Sequence, residues 1–237
     1  MIFKMKNLIV ITGGAGFVGT NLIKFLLKKT SFKIVSIDDY SSGSKKNHVI
    51  DSRVKYFNCH TKNISTKLSS EVKNIHSLFH FGEFARIYQS FDNMSECIES
   101  NLIGSNAVFN FCIKNNIKLI YSATSASLGN NGNDKNLSPY AFSKAKNLEM
   151  LENLKNWFKF KFEIIYFYNV YGPSQINKGK MATVIGIFED QYMNSKPLTV
   201  VNQEHNQEIY TYDDTIEFVT MPGFKINVDT IVFQVKK

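Results

Sequence analysis

The sequence is short of the features that mark several large protein classes. Its cysteines number only three, Cys59, Cys97 and Cys112, scattered and without CxxC spacing. A disulfide framework or a zinc site is therefore not expected, and a reducing, cytoplasmic setting fits. No apolar run approaches the roughly 18 to 20 residues of a bilayer span, so no membrane-embedded segment is expected. Residues Met1 to Asn7 lead directly into a strand-like run, and no secretory signal is expected. Acids are outnumbered, 20 Asp+Glu against 28 Lys+Arg for a formal net charge of +8. The excess forms no basic stripe with interleaved aromatics and no nucleic-acid-binding signature. It reads as solvated faces that help attract an anionic small molecule. Repeats and low-complexity segments are absent as well. What is present, 43% hydrophobic and 20% charged residues over 237 positions, suffices for one large domain or one domain with a small appendage.

Apolar β-type runs alternate with helical patterns, as in a parallel sheet with crossover helices. Strands are predicted at 7–12, 33–38, 54–58, 76–81, 118–122 and 163–168. Helices are predicted at 17–29, with Val18, Leu22, Phe25 and Leu26 on one face, and at about 94–114 and 139–156. After Gly172-Pro173 the rhythm weakens: 181–194 reads as helical, 198–202 as extended, 210–219 as a turn into a short helix, and 221–237 as neither.

Thr12-Gly13-Gly14-Ala15-Gly16-Phe17-Val18-Gly19 sets glycines at 13, 16 and 19 between a strand and a helix. Glycines there permit a tight turn and a close backbone approach to a pyrophosphate. The helix N-terminus, at Phe17 and Val18, offers free N–H groups and partial positive charge. About 20 residues on, Asp38 ends the second strand, where a carboxylate accepts hydrogen bonds from an adenosine ribose and disfavours a 2′-phosphate. Together these point to NAD over NADP, a preference tempered by Lys45 and Lys46. Asp38-Asp39 by itself would be ordinary turn chemistry. The fold class expected is thus α/β, a Rossmann-type doubly wound parallel sheet over 1–173, with a small, incomplete substrate-binding region over 174–237.

Tyr140 and Lys144 lie four residues apart on one helical face, behind a plausible Ser138 N-cap and a first-turn Pro139. An ammonium near a phenol favours phenolate and makes tyrosine usable as a base. Thr124, placed just beyond the fifth strand at the carboxyl edge of the sheet, could orient a reacting oxygen; alone it would be a loop hydroxyl.

Taken in order, the glycine motif, Ser36-Ile37-Asp38-Asp39, Leu78-Phe79-His80-Phe81-Gly82, Asn101 with Gly104, Tyr121 to Gly129, Tyr140 with Lys144, Phe167 to Pro173 and Asp213-Asp214 resemble the extended short-chain dehydrogenase/reductases, specifically the NAD-dependent nucleotide-sugar epimerase/dehydratase family. The resemblance implies that Thr124, Tyr140 and Lys144 are catalytic. It places Gly13, Gly16, Phe17, Val18, Asp38, Asp39, Phe81, Gly82, Asn101, Tyr140 and Lys144 at the cofactor, Thr124 and Asn169 at the substrate, and no metal in the site. Tyr140 would act as acid and base at the sugar hydroxyl, with hydride passing from C4 to NAD and back through a 4-keto sugar. The triplet Thr124-Ser125-Ala126 lacks the acids with which family dehydratases remove water, so epimerisation is expected. The alternatives are an inactive NAD-binding remnant and a keto-sugar reductase. A homodimer through the helices beginning near Met94 and Pro139 is also implied, with no nucleic-acid or membrane partner.

Four departures qualify the resemblance. His60 stands where an acid normally meets the adenine. Glu83 stands where small residues are usual and adds an acid close to the dinucleotide path, although its spacing to Arg86 is more simply that of an i,i+3 helical pair. Gln207-Glu208 replaces an arginine that grips the substrate phosphates. From about Thr220 the likeness fades, although the family's substrate domain continues; the expectation is a C-terminally shortened family member.

Overall fold

The computed structural model describes residues 6–127, 129–167, 170–179 and 182–198. These fall into two compact units that divide between Val170 and Tyr171. The first contains β1 (Leu8–Thr12), α1 (Phe17–Lys29), β2 (Lys33–Asp38), β3 (Val54–Asn58), α2 (Ile64–Lys67), β4 (Ile75–His80), α3 (Gln89–Asp92), α4 (Met94–Ile98), α5 (Ser105–Lys114), β5 (Lys118–Thr124), α6 (Pro139–Phe158) and β6 (Phe162–Phe167). In the second, the described helix is α7 (Val184–Met193), capped by Thr183, whose hydroxyl accepts from Gly186 N. The readings made for 199–237, and the role given to Asn169, fall outside the described residues.

All six strands are parallel, in the order β3-β2-β1-β4-β5-β6. The chain builds outward from β1 to β3 and then starts again on the other side with β4. The order therefore reverses between β1 and β4, which opens a crevice at the carboxyl ends of the strands. Every residue of β1 is buried, because helices cover both faces of the sheet. The two-residue period sorts its side chains. Leu8 and Val10 join Phe109, Leu151 and Leu154 on one face, while Ile9 and Ile11 pack on Leu22, Ile23 and Leu26 of α1 on the other. Each such aliphatic side chain contributes roughly 1.5–3 kcal/mol on burial.

Three expectations are corrected. On α1 the buried face is Gly19, Thr20, Leu22, Ile23 and Leu26, whereas Phe25 is exposed. Residues 18, 22 and 25 spiral off to one edge of the stripe, and the sheet takes the 19-22-23-26 side. The helix expected over 94–114 is interrupted by a π-helical turn at Glu99–Gly104. That wider turn leaves the Asn101 carbonyl free to accept from Asn147 Nδ2 at 2.6 Å. Finally, β5 runs on to Thr124, so that residue ends the strand and is not part of the following loop.

Candidate functional site

Gly13 adopts φ +71°, and a Cβ on it would stand 2.8 Å from the Phe81 carbonyl and from Gly82 N. Only glycine lets the turn after β1 pass so close to the end of β4. Gly19 lets α1 lie on the turn, since a Cβ there would meet the Gly13 carbonyl oxygen at 2.2 Å. Helix α1 opens at Gly16 with no side-chain cap and no acid in its first turn. The first N–H groups of a helix have no partner within it, which suits a pyrophosphate at this end; Gly13 and Gly16 line the cleft there, whereas Phe17 and Val18 do not.

Asp38 is buried at the end of β2 and takes one backbone N–H on each oxygen, from Ala15 on Oδ2 and Tyr40 on Oδ1, both at 2.9 Å. Burial raises its pKa and the two N–H bonds oppose that. Each oxygen retains a second lone pair for a ribose hydroxyl. Asp39 accepts from Ser41 N and Oγ, so turn chemistry and ligand geometry coexist in this pair. Gly13, Gly16, Asp38, Asp39, Phe81, Gly82 and Glu83 line one cleft that, counted with the open solvent at its mouth, encloses about 450 Å³. These residues fit a dinucleotide. His60 does not take the place of the expected acid in any simple way: its Nδ1 accepts from Lys62 N at 3.1 Å and caps a short 3₁₀ turn.

On α6, Ser138 Oγ accepts from Ala141 N at 3.0 Å, which starts the helix where the sequence placed it and sets Tyr140 and Lys144 on its buried side. The helix packs along β5 and the turn after Thr124, and Ser127 Oγ donates to the Thr124 carbonyl. Lys144 is almost wholly buried. Its Nζ donates to the Ser122 carbonyl and to Glu83 Oε2, both at 2.5 Å. The expected Glu83–Arg86 helical pair is therefore wrong. Residues 81–86 are not helical, and the carboxylate turns inward to a lysine 61 positions away. Asn101 is fully buried. Its amide accepts from Phe84 N at 2.6 Å and donates to the Phe84 carbonyl and Ser143 Oγ, both at 3.0 Å, tying the segment after β4 to α6.

The sequence did not reveal the rest of this buried polar cluster. His80 is held by Thr12 Oγ1 on Nδ1 (2.7 Å) and Ser105 Oγ on Nε2 (2.9 Å). Ser105, Tyr121, Ser122 and Asn147 all donate to Glu83. Asn147 could have been anticipated, being seven residues past Tyr140 and so on the same helical face. Burial drives His80 down from 6.5 to about 4, so it is neutral in the folded protein near pH 7. Because the unfolded chain binds that proton first, stability is full above about pH 6.5 and is lost as pH falls toward 4. The expected loss is up to roughly 3 kcal/mol across that window. A urea-midpoint series from pH 7 to pH 4 checks it (about that range), and His80→Gln is expected to flatten the slope.

A doubly wound sheet with a glycine turn at its switch point, an acid closing β2, and a tyrosine and lysine one turn apart on the helix after β5 defines an NAD-type Rossmann protein of the short-chain dehydrogenase/reductase class. Residues 9–221 match the NAD dependent epimerase/dehydratase family, and the chain belongs to that family. It is similar to a UDP-N-acetylglucosamine 4-epimerase from Methanobrevibacter ruminantium solved with UDP-N-acetylmuramic acid: 26% identity, 82% of this chain and 65% of that one covered, TM-score 0.73. It shares its fold with a UDP-glucose 4-epimerase from Thermotoga maritima solved with UDP-glucose, at 23% identity, 83% and 66% coverage and TM-score 0.74. The same holds for a Bordetella bronchiseptica enzyme solved with NAD+, at 22% identity, 84% and 63% coverage and TM-score 0.74. The chain thus spans just under two thirds of the length of these relatives. Among the described residues no helix is long and apolar enough to cross a membrane, and no group of His, Cys, Asp or Glu could hold a metal ion.

Proposed function

We propose that this protein binds NAD in the Gly13–Gly19 cleft and epimerises a nucleotide sugar through a transient 4-keto sugar, with Tyr140 as acid and base. The observation that supports the reading is that Glu83, which lines the dinucleotide cleft, bonds Lys144 on the buried face of α6 that also carries Tyr140, although Tyr140 and Lys144 do not themselves line the cleft. Bound NAD supplies the two-electron acceptor and donor. The backbone N–H groups of Phe17 and Val18 bind its pyrophosphate, and Asp38 binds its adenosine ribose. Tyr140 removes the proton from the sugar C4 hydroxyl and later returns it. Thr124 hydrogen-bonds the same oxygen, Lys144 steadies the phenolate, and Asn169 contacts the nucleotide diphosphate. Apolar side chains exposed along α4 and α6, Met94, Phe142 and Met150 among them, support pairing of two copies through these helices, and the scattered free cysteines fit a reducing, cytoplasmic setting.

One observation favours a second reading, NAD binding without turnover: Lys144 is already engaged by Glu83. A single assay separates the two. Purified protein is titrated with NAD and NADP, then given NAD and a panel of UDP- and dTDP-sugars, and the sugars are identified. The expected result is at least about tenfold preference for NAD, corresponding to roughly 1.4 kcal/mol, with interconversion of C4 epimers. NAD binding without any interconversion selects the second reading, and no NAD binding overturns both.

A further inference from the structure

Glu83 is the charged group buried beside the proposed chemistry to which the reaction assigns no task. Its side chain is 2% exposed. Oε1 accepts from Ser105 Oγ (2.9 Å), Tyr121 OH (3.0 Å) and Asn147 Nδ2 (3.2 Å), and Oε2 accepts from Lys144 Nζ (2.5 Å) and Ser122 Oγ (3.3 Å). Ser122 and Asn147 share their protons with the His80 carbonyl and with the Asn101 carbonyl and Tyr121, so it is chiefly the Lys144 ammonium, with the Ser105 hydroxyl, that holds the carboxylate ionised despite its burial. Lys144 has three N–H bonds to give. One goes to Glu83, one to the Ser122 carbonyl, and the third has a longer contact, 3.4 Å, with Ser122 Oγ, so a ribose or a phenolate has to draw its donor from this last and weakest contact.

We propose that Glu83 is a positioning residue that draws Lys144 back against β5 and offsets its charge, so that the site operates with a paired ammonium in place of a free one. This rests on the proposed roles of Tyr140 and Lys144. The neighbours leave few other charges in play. Burial keeps His80 of β4, Cys97 of α4 and Tyr121 of β5 neutral near pH 7. Arg86, from the segment after β4, lies within electrostatic reach of Tyr140. Glu83 and Lys144 thus form the buried ion pair on this face of α6. Loss of the Glu83 charge leaves the Lys144 ammonium unpaired, which under the proposed roles of Lys144 and Tyr140 favours the base form of the site. Because the base form of Tyr140 is the active one, the rising limb of the pH–rate profile must then move to lower pH.

Glu83→Gln keeps the shape and an acceptor oxygen while removing the charge. The limb of kcat/KM against pH is expected to move down by about one unit, while Glu83→Asp, which keeps the charge, stays within a few tenths of wild type. A limb that is unmoved, or that moves up, overturns the proposal. An activity-free arm uses NAD affinity in the wild type, Glu83→Gln, Lys144→Met and the double variant. Glu83→Gln is expected to tighten NAD about threefold when Lys144 is present and to do markedly less without it. Equal effects in both backgrounds overturn the pairing; if Glu83→Gln does not fold, Glu83→Ser takes its place in the same cycle. Coupled NAD affinities without wild-type turnover would defeat the proposed reaction and leave the Glu83 role standing. Turnover with an unmoved limb would defeat the Glu83 role alone.

Discussion

Tyr140→Phe is expected to cut nucleotide-sugar turnover by about 10²- to 10⁴-fold while leaving NAD affinity within about threefold of wild type. The substitution removes one oxygen from a side chain that is already buried on α6, so the ring still fills its place. The Ser138 cap that starts the helix does not depend on the hydroxyl, and neither does the glycine turn after β1. What goes is the hydroxyl proposed to exchange a proton with the sugar oxygen. Since that exchange takes place only on the way to the transition state, kcat and kcat/KM should fall together. Steady-state kinetics with parallel NAD titration checks this, and a variant as active as wild type would remove Tyr140 from the chemistry.

Gly19→Ala should have a comparably large effect through a different link. Its new Cβ would fall 2.2 Å from the Gly13 oxygen and 2.7 Å from Gly14 Cα. Both are backbone atoms of a turn fixed between β1 and β4, so no side chain can swing aside to make room. Either α1 lifts from the sheet, disturbing the packing of Leu22, Ile23 and Leu26, or the turn itself shifts. Overpacking of this kind costs about 1–3 kcal/mol, a large share of the stability of a typical domain. Displacing the Gly13 carbonyl also deforms the surface that faces the pyrophosphate. A lowered urea midpoint accompanied by at least about tenfold weaker NAD binding is expected, on the order of 1.4 kcal/mol. Wild-type stability and affinity would show that the close approach of α1 to the turn has no energetic weight.

Much of this architecture was legible in the sequence because the signals were local. Each of the runs 33–38 and 54–58 is flanked by turn residues, and the glycine turn marks which strand lies at the switch point. The Ser138-Pro139 start of α6 was equally plain, since capping chemistry spans three residues. What escaped was set by distant partners. Glu83 and Arg86 have helical spacing, but a carboxylate that can reach an ammonium and four other donors in the interior will not stay on a surface turn, and none of those donors is near it in sequence. The π turn at Glu99–Gly104 was hidden for a similar reason. Its apolar pattern is that of an ordinary helix, and it is the Asn101 carbonyl, bonded to Asn147 on another helix, that draws on the wider turn. Phe25 misled because an i, i+4, i+7 set marks one edge of an amphipathic stripe as readily as its centre.

The most direct test is spectroscopic. Protein saturated with NAD is mixed with each nucleotide sugar of the panel, and the near-ultraviolet absorbance of reduced nicotinamide is followed through a single turnover. The expected result is a transient rise that decays as the C4 epimer forms, and no rise in Tyr140→Phe. NAD-saturated wild-type protein that never develops this absorbance, and returns every sugar unchanged, would contradict the proposal that a phenol on α6 and a cofactor in the glycine cleft share one substrate.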